Sequence, residues 1–234
     1  MSDTSNQPLQ KMSDTSNQPL QEMFETSNPP LHEMSDTSSQ LDSSEQSTPS
    51  YNHPCGDLLV EGRRRDFINI CLPLYQASVV GDWEAVENIL AINREFKDDL
   101  LGYSITEDKD TALTIAASSE SIKFVENLVD RMTDQQLTLQ DKHGQTALHI
   151  AAGVGNVDMA MAMVGKHPQL LKIRNGVNAL PIYVAAIYGK HDMVAYLYDE
   201  YKSMAGDDWT VDDISNVFWR CIEADLFGTF LVSS

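Results

Sequence analysis

From about residue 70 onward, apolar residues fall at intervals of three and four within short segments, and the segments come in pairs. Residues 141–164, DKHGQTALHIAAGVGNVDMAMAMV, show the unit most clearly. Asp141 to Gly144 predicts a turn. Thr146, Ala147, Leu148 and His149 open a short helix, which Ala151 and Ala152 keep thin on one side. Gly155 and Asn156 break the chain. Val157, Ala160, Met161 and Val164 then mark the apolar face of a second helix. The Leu148 position recurs at Leu74, Leu113 and Ile182, at intervals of 39, 35 and 34 residues. Second helices recur at 83–90, 122–129 and 192–198. Gly155 has equivalents in Gly81 and Gly189, but Glu120 takes that place in the second unit, where it is expected to strain or lengthen the turn. Lys109 and Asn178 replace Gly144 in the second and fourth units.

A helix pair of this size cannot bury its own apolar face, so at least three must stack. Thr146 to His149, followed by Ala151, resembles the Thr-Pro-Leu-His-x-Ala signature of ankyrin repeats, with Ala147 where Pro is usual. The fold expected is an all-α ankyrin-repeat solenoid. Repeats lie near 70–92, 106–130, 141–165 and 174–200, with a partial fifth at 209–232, in a domain spanning 57–234 after a disordered tail. The physical roles follow from the residue types. Thr146 caps a helix start, Leu148 fills the core, Ala151 and Ala152 admit a close neighbour, and His149 bridges backbone groups of adjacent turns. Pro181 sits in a first helical turn, where its missing N–H costs nothing. Trp83 is expected to lie across the outer end of the core.

The wording narrows the resemblance further. Leu72 to Ala77 (LPLYQA), Gly81 to Ala85 (GDWEA), Leu139 to His149 (LQDKHGQTALH), His167 to Leu171, Pro181 to Ala186 and Cys221 to Phe227 (CIEADLF) together resemble the plant ankyrin family of the accelerated-cell-death and increased-salt-tolerance type. The resemblance runs over roughly residues 57–232. It implies a role in stress or defence signalling and relatives at the plasma membrane, whose longer forms carry further repeats and a multi-span membrane region. That region has no counterpart here, so this chain is read as a shortened product without direct membrane insertion. It is expected to be cytoplasmic, or peripheral at the plasma membrane through a partner.

Residues 1–44 are four eleven-residue units, the first two differing only at Lys11 against Glu22. Pro8, Pro19, Pro29 and Pro30 oppose a helical reading of that period. Each unit carries too few large apolar side chains to offset the entropy of ordering. The tail is expected to be disordered through residue 56. The 234-residue chain has a net charge of −19, which argues against sequence-independent binding to nucleic acid or an anionic membrane. Arg63, Arg64 and Arg65 form its only basic run and read as a solvated lead-in. Cys55, Cys71 and Cys221 are odd in number and read as free thiols.

The candidate chemistry is sparse. Residues 153–158, GVGNVD, follow a helix rather than a strand and lack a third glycine, so they do not form a dinucleotide loop. The six histidines show no metal spacing, and no nucleophile motif or cofactor motif is present. The expectation is a non-catalytic adaptor recognising other proteins, including membrane-resident ankyrin relatives, by surface. A nuclear or cytosolic cofactor with no membrane link is the other reading. Turn tips and first-helix faces supply the candidate groove: Glu107, Asp108, Asp110, Ser118 and Ser119 from repeat two; Lys142, His143, Gln145, Gly153 and Val154 from repeat three; Gly176, Val177, Ala179, Ile187 and Tyr188 from repeat four. The groove is expected to be acidic at repeat two and apolar at repeat four.

Overall fold

The computed structural model describes residues 51–59, 64–94, 99–203 and 209–223. All of them belong to one unit, Ser47–Ser234. The expectations for the eleven-residue units and for 224–232 lie outside the described residues.

Among the described residues the secondary structure is helical, apart from one isolated bridge between Cys55 and Tyr103. The first helix, α1, is continuous through Arg64–Asp66, a π-helical turn Phe67–Cys71 and Leu72–Val80. Then come α2 (Trp83–Ile92), α3 (Ala112–Ser118), α4 (Ile122–Arg131) and the short α5 (Asp134–Leu137). They are followed by α6 (Ala147–Val154), α7 (Val157–Lys166), α8 (Pro181–Ile187), α9 (His191–Ser203) and α10 (Val211–Glu223). One layer runs α1, α3, α6, α8, α10, each packed on the next; α4, α7 and α9 form part of the second.

The four equivalent leucine and isoleucine positions hold the core. Leu74, Leu148 and Ile182 have no exposed surface and Leu113 retains 2%. Burying each contributes about 1.5–3 kcal/mol. Local chemistry sets the helix starts. The Asp82 carboxylate accepts from the Ala85 N–H and the Asn156 amide oxygen from the Met159 N–H. Thr111 and Thr146 form capping boxes with Thr114 and His149. Pro181 occupies the first turn of α8.

Between repeats, hairpin turns project at 106–110, 141–145 and 175–179. They are joined tip to tip by two backbone hydrogen bonds, from Lys142 N–H to Asp108 O (2.9 Å) and from Gly176 N–H to His143 O (2.8 Å). Lys166 Nζ donates to the carbonyl oxygens of Val129 and Met132 and ties α7 to the end of α4.

Three expectations need correction. The buried face of α7 is Met159, Ala160, Met163 and Val164, so Met161, which the spacing put on the apolar face, stands on the solvent side (52% exposed). Residues 51–56, expected in the disordered tail, run along the hairpins. Gln140 N–H donates to Asn52 O (2.8 Å), Asn52 Nδ2 to Thr138 Oγ1 (2.8 Å) and Ser104 N–H to Cys55 O (2.8 Å). The Gln140 side chain supplies the anchor, since its Oε1 accepts from Asn52 N–H while its Nε2 reaches the carbonyl oxygens of Gly144 and Arg174. Trp83, in turn, does not close the outer end of the stack. It turns toward the next repeat, edge-on to Phe124 (5.8 Å) with the Arg131 guanidinium over its ring (5.8 Å), where the ring gains an edge-to-face partner and a cation–π contact.

Candidate interaction surface

The hairpins take their shape from one left-handed residue each: Lys109 (φ 64°), Gly144 (φ 73°) and Asn178 (φ 62°). At repeat three the backbone demands glycine for a second reason. A Cβ on Gly144 would come within 2.7 Å of Gly176 N. Asp141 and Asn175 then fold their side chains back onto the tips. Asp141 Oδ1 accepts from the His143 and Gln145 N–H groups (both 2.8 Å), and Asn175 Oδ1 accepts from Val177 (3.1 Å) and Ala179 (2.9 Å). Burial pushes the Asp141 carboxyl above the usual range even against these bonds.

His149 locks the third tip to the fourth. The Thr146 N–H donates to His149 Nδ1 (3.2 Å), so the proton resides on Nε2, which donates to the Ala179 carbonyl (3.2 Å). The ring is wholly buried, and desolvation lowers its pKa to about 4.

The candidate residues divide into exposed and occupied groups. Glu107, Ser118, Lys142, His143, Gly176, Val177 and Ile187 are exposed. Ser119, Val154 and Tyr188 are half-buried, and Gly153 is buried with the Tyr188 ring against it, 3.5 Å from where a Cβ would stand. Gln145 (4% exposed) and Ala179 (6%) point inward. The acidic end is also less available than expected. Asp108 forms an ion pair with Lys142 of the next tip. Asp110 accepts from the Thr106 hydroxyl (2.7 Å), and burial raises its pKa. Asp108 ties two tips together and Asp110 closes its own turn, so positions free in the pattern are engaged in the fold.

A feature not anticipated in the sequence lies at the other end. Arg174 donates both guanidinium nitrogens to Asp213 (2.8 and 2.7 Å) and a further bond to Asn178 O (3.0 Å). Asp213 also accepts from Thr210 at the start of α10, and the Arg174 bonds hold its pKa down to about 2. Beside this clasp is a cleft of about 540 Å³ lined by Arg174, Val177, Tyr183, Thr210, Asp213 and Asn216, among others. Arg220 donates to the Tyr183 hydroxyl (3.3 Å) behind it. Arg174 and Asp213 are 39 residues apart, and no local pattern marks them as partners.

A family model, "Ankyrin repeats (3 copies)", matches residues 74–175 and again 133–208. The chain belongs to the ankyrin-repeat family. Ankyrin repeats form a protein–protein interaction domain, and their helix pairs and stacked tips are those described above. The human transient receptor potential cation channel subfamily A member 1 is 32% identical over 111 residues, 47% of this chain and 9% of that one. The Arabidopsis thaliana E3 ubiquitin-protein ligase KEG is 27% identical over 153 residues, 62% of this chain and 8% of that one. The chain thus spans less than a tenth of the length of either relative. Among solved structures, the ankyrin repeat domain of Bcl-3 is similar at 24% identity and a TM-score of 0.48, over 54% of this chain and 55% of that one. No helix among the described residues is long and apolar enough to cross a membrane.

Proposed function

We propose that this ankyrin-repeat chain is a non-catalytic adaptor in plant stress or defence signalling, binding a segment of another protein along its tips and first-helix faces. The observation that carries the reading is the line from the paired tips to the cleft. Glu107 and His143 are exposed at the tips, Val177 (76% exposed) lines the Arg174–Asp213 cleft, and Ile187 (38%) is exposed at the end of α8, the helix that gives the cleft Tyr183. Exposed apolar side chains next to a concavity favour capture of apolar side chains from a partner. The signalling role rests on the resemblance to the plant family alone. Partners of the same repeat family at the plasma membrane fit this reading, with the chain peripheral to the membrane through them.

With Asp108 and Asp110 engaged internally, recognition depends mainly on the apolar end. Affinity capture from plant cells, with the tagged chain beside V177E/I187E, tests this. Both proteins must first show the same helical circular dichroism. Partners retained by the parent and lost with the variant support the adaptor reading. A membrane relative among them favours modulation of that relative, and a purely nuclear or cytosolic set favours the cofactor reading. Identical captures refute binding along this line. Glu107→Lys is expected to alter chiefly the salt dependence of binding.

A further inference from the structure

Residues 51–55 form an extended strap across the hairpins, and its backbone bonds repeat. Each hairpin is closed by one N–H: Ile105 donates to Asp110 O, Asp141 to Gln145 O and Asn175 to Ala179 O (2.8, 2.9 and 3.0 Å). The residue just before each closing donor is Ser104, Gln140 or Arg174. Two of these three bond to the strap. Ser104 N–H donates to Cys55 O and Gln140 N–H to Asn52 O (both 2.8 Å). The strap thus advances from Cys55 to Asn52, three residues, as the stack advances by one repeat. An extended chain covers about 10 Å in three residues, which matches the roughly 8–10 Å between packed helices. Arg174 holds the same place before the fourth hairpin, and its N–H has no acceptor among the described residues.

Side chains fix the register. Asn52 N–H donates to Gln140 Oε1 (3.2 Å), Asn52 Nδ2 to Thr138 Oγ1 (2.8 Å) and His53 Nδ1 to Gln140 O (3.0 Å). The Tyr51 ring lies over the tips of repeats three and four. A Cβ on Gly144 would stand 3.0 Å from Tyr51 Cε1, and one on Gly176 3.4 Å from its hydroxyl oxygen. Little of this depends on burial, since from Tyr51 to Gly56 only Pro54 is buried. Main-chain bonds for affinity and shallow seats for side chains are a recurring way of binding an extended segment. A segment from another chain would make the same contacts.

We propose that residues 51–55 are a tethered occupant of a docking track for an extended segment of another protein, one that carries an aromatic residue followed directly by asparagine. In the isolated chain the strap fills the track, and a partner segment of like chemistry displaces it. Only eight residues, 56–63, join the strap to α1. Such a tether gives it an effective concentration on the order of millimolar, so a partner must bind more tightly than the strap does. Reaching the Arg174 N–H as well is one way to do so. The strap's own sequence is the probe, so the proposal does not depend on the adaptor reading, and its failure leaves that reading standing.

The test is a fluorescent peptide of residues 47–56, with Cys55→Ser, titrated into the full chain and into full-length Y51A/N52A. Neither position is buried, so both proteins should show the same circular dichroism. The peptide should bind the variant more tightly than the parent by at least about tenfold. A peptide carrying the same two alanines should bind neither. Adding Thr138→Ala to the variant should weaken the peptide several-fold. Amide exchange separates opening of the track from unfolding. Ser104 and Gln140 should exchange faster in the variant, recover on adding peptide, and do so while the Leu148 amide stays protected. No binding to the variant up to about 1 mM peptide, equal binding to both chains, binding of the alanine peptide, or unchanged exchange at Ser104 and Gln140 would each overturn the proposal. A parent that dimerises on concentration by exchanging straps would overturn it too, because the track would then serve a second copy of this chain.

Discussion

The turns of repeats two and three take the same left-handed backbone at residues of opposite aptitude. Repeat three uses Gly144 (φ 73°) and Gly155 (φ 87°), whereas repeat two uses Lys109 (φ 64°) and Glu120 (φ 55°). A residue with a Cβ in that region costs roughly 1–2 kcal/mol. The turn of repeat two is therefore held by its surroundings. Lys109 is closed by its N–H bond to Thr106 O (3.1 Å), and Thr106 Oγ1 donates to Asp110. The repeats also differ in their link to the next one. His149 spans from Thr146 to Ala179, while Thr114 bonds only within its own capping turn, to Thr111, and to the neighbouring Asp110. Repeat three is the well-formed centre of the stack, and repeat two adopts its shape under strain.

The largest effect expected is from Leu148→Ala. It removes a fully buried side chain between the two helix layers and should cost about 2–5 kcal/mol, read as a lowered midpoint in urea unfolding. A loss under about 1 kcal/mol would place Leu148 outside the core.

Next is the His149 bridge. Its pKa in the folded chain is depressed to about 4 from an ordinary 6.5, so below pH 6.5 the unfolded chain binds the extra proton first. Stability falls as pH drops from 6.5 toward 4, by up to about 3 kcal/mol over that window. The raised pKa values of Asp110 and Asp141 act in the opposite direction at the acid end, since they favour the folded chain when protonated. His149→Gln should therefore flatten the decline between about pH 7 and pH 5. An unchanged slope would assign the pH dependence to other groups.

The smallest effects test the strain directly, and they have opposite signs. Gly144→Ala places a Cβ 2.7 Å from Gly176 N at a left-handed φ and should destabilise by about 1–3 kcal/mol. Glu120→Gly relieves a left-handed side chain and should stabilise by up to about 1 kcal/mol. Thermal melts compare the two. If Glu120→Gly also destabilises, the Glu120 side chain contributes a contact that outweighs its backbone cost.

The sequence made the repeats legible because their signals are local and periodic. Leu74, Leu113, Leu148 and Ile182 share one slot, and the left-handed positions could be placed even where Lys109 and Glu120 replace glycine. Contacts across large separations carried no such signal. Asn52 meets Thr138 and Gln140, 86 and 88 residues away, and nothing in the polar residues around it marks that contact in the pattern. Arg174 and Asp213 look like ordinary surface charges until α10 folds back. The candidate groove was legible in outline, as tips and first helices. Its occupied members were not, because pattern alone does not show that Asp108 pairs with Lys142 or that Gln145 and Ala179 turn inward. The Asp108–Lys142 pair joins one repeat to the next.

If partners bind along the tips and the cleft, site-specific photo-crosslinking should map them there. A photoreactive residue would be placed at His143, Val177 or Ile187, with Met161 on the exposed side of α7 (52% exposed) as the control. The expected result is the same crosslinked protein from Val177 and Ile187, a weaker yield from His143, and none from Met161. Equal yields from all four positions, or crosslinks from Met161 alone, would contradict binding along this surface.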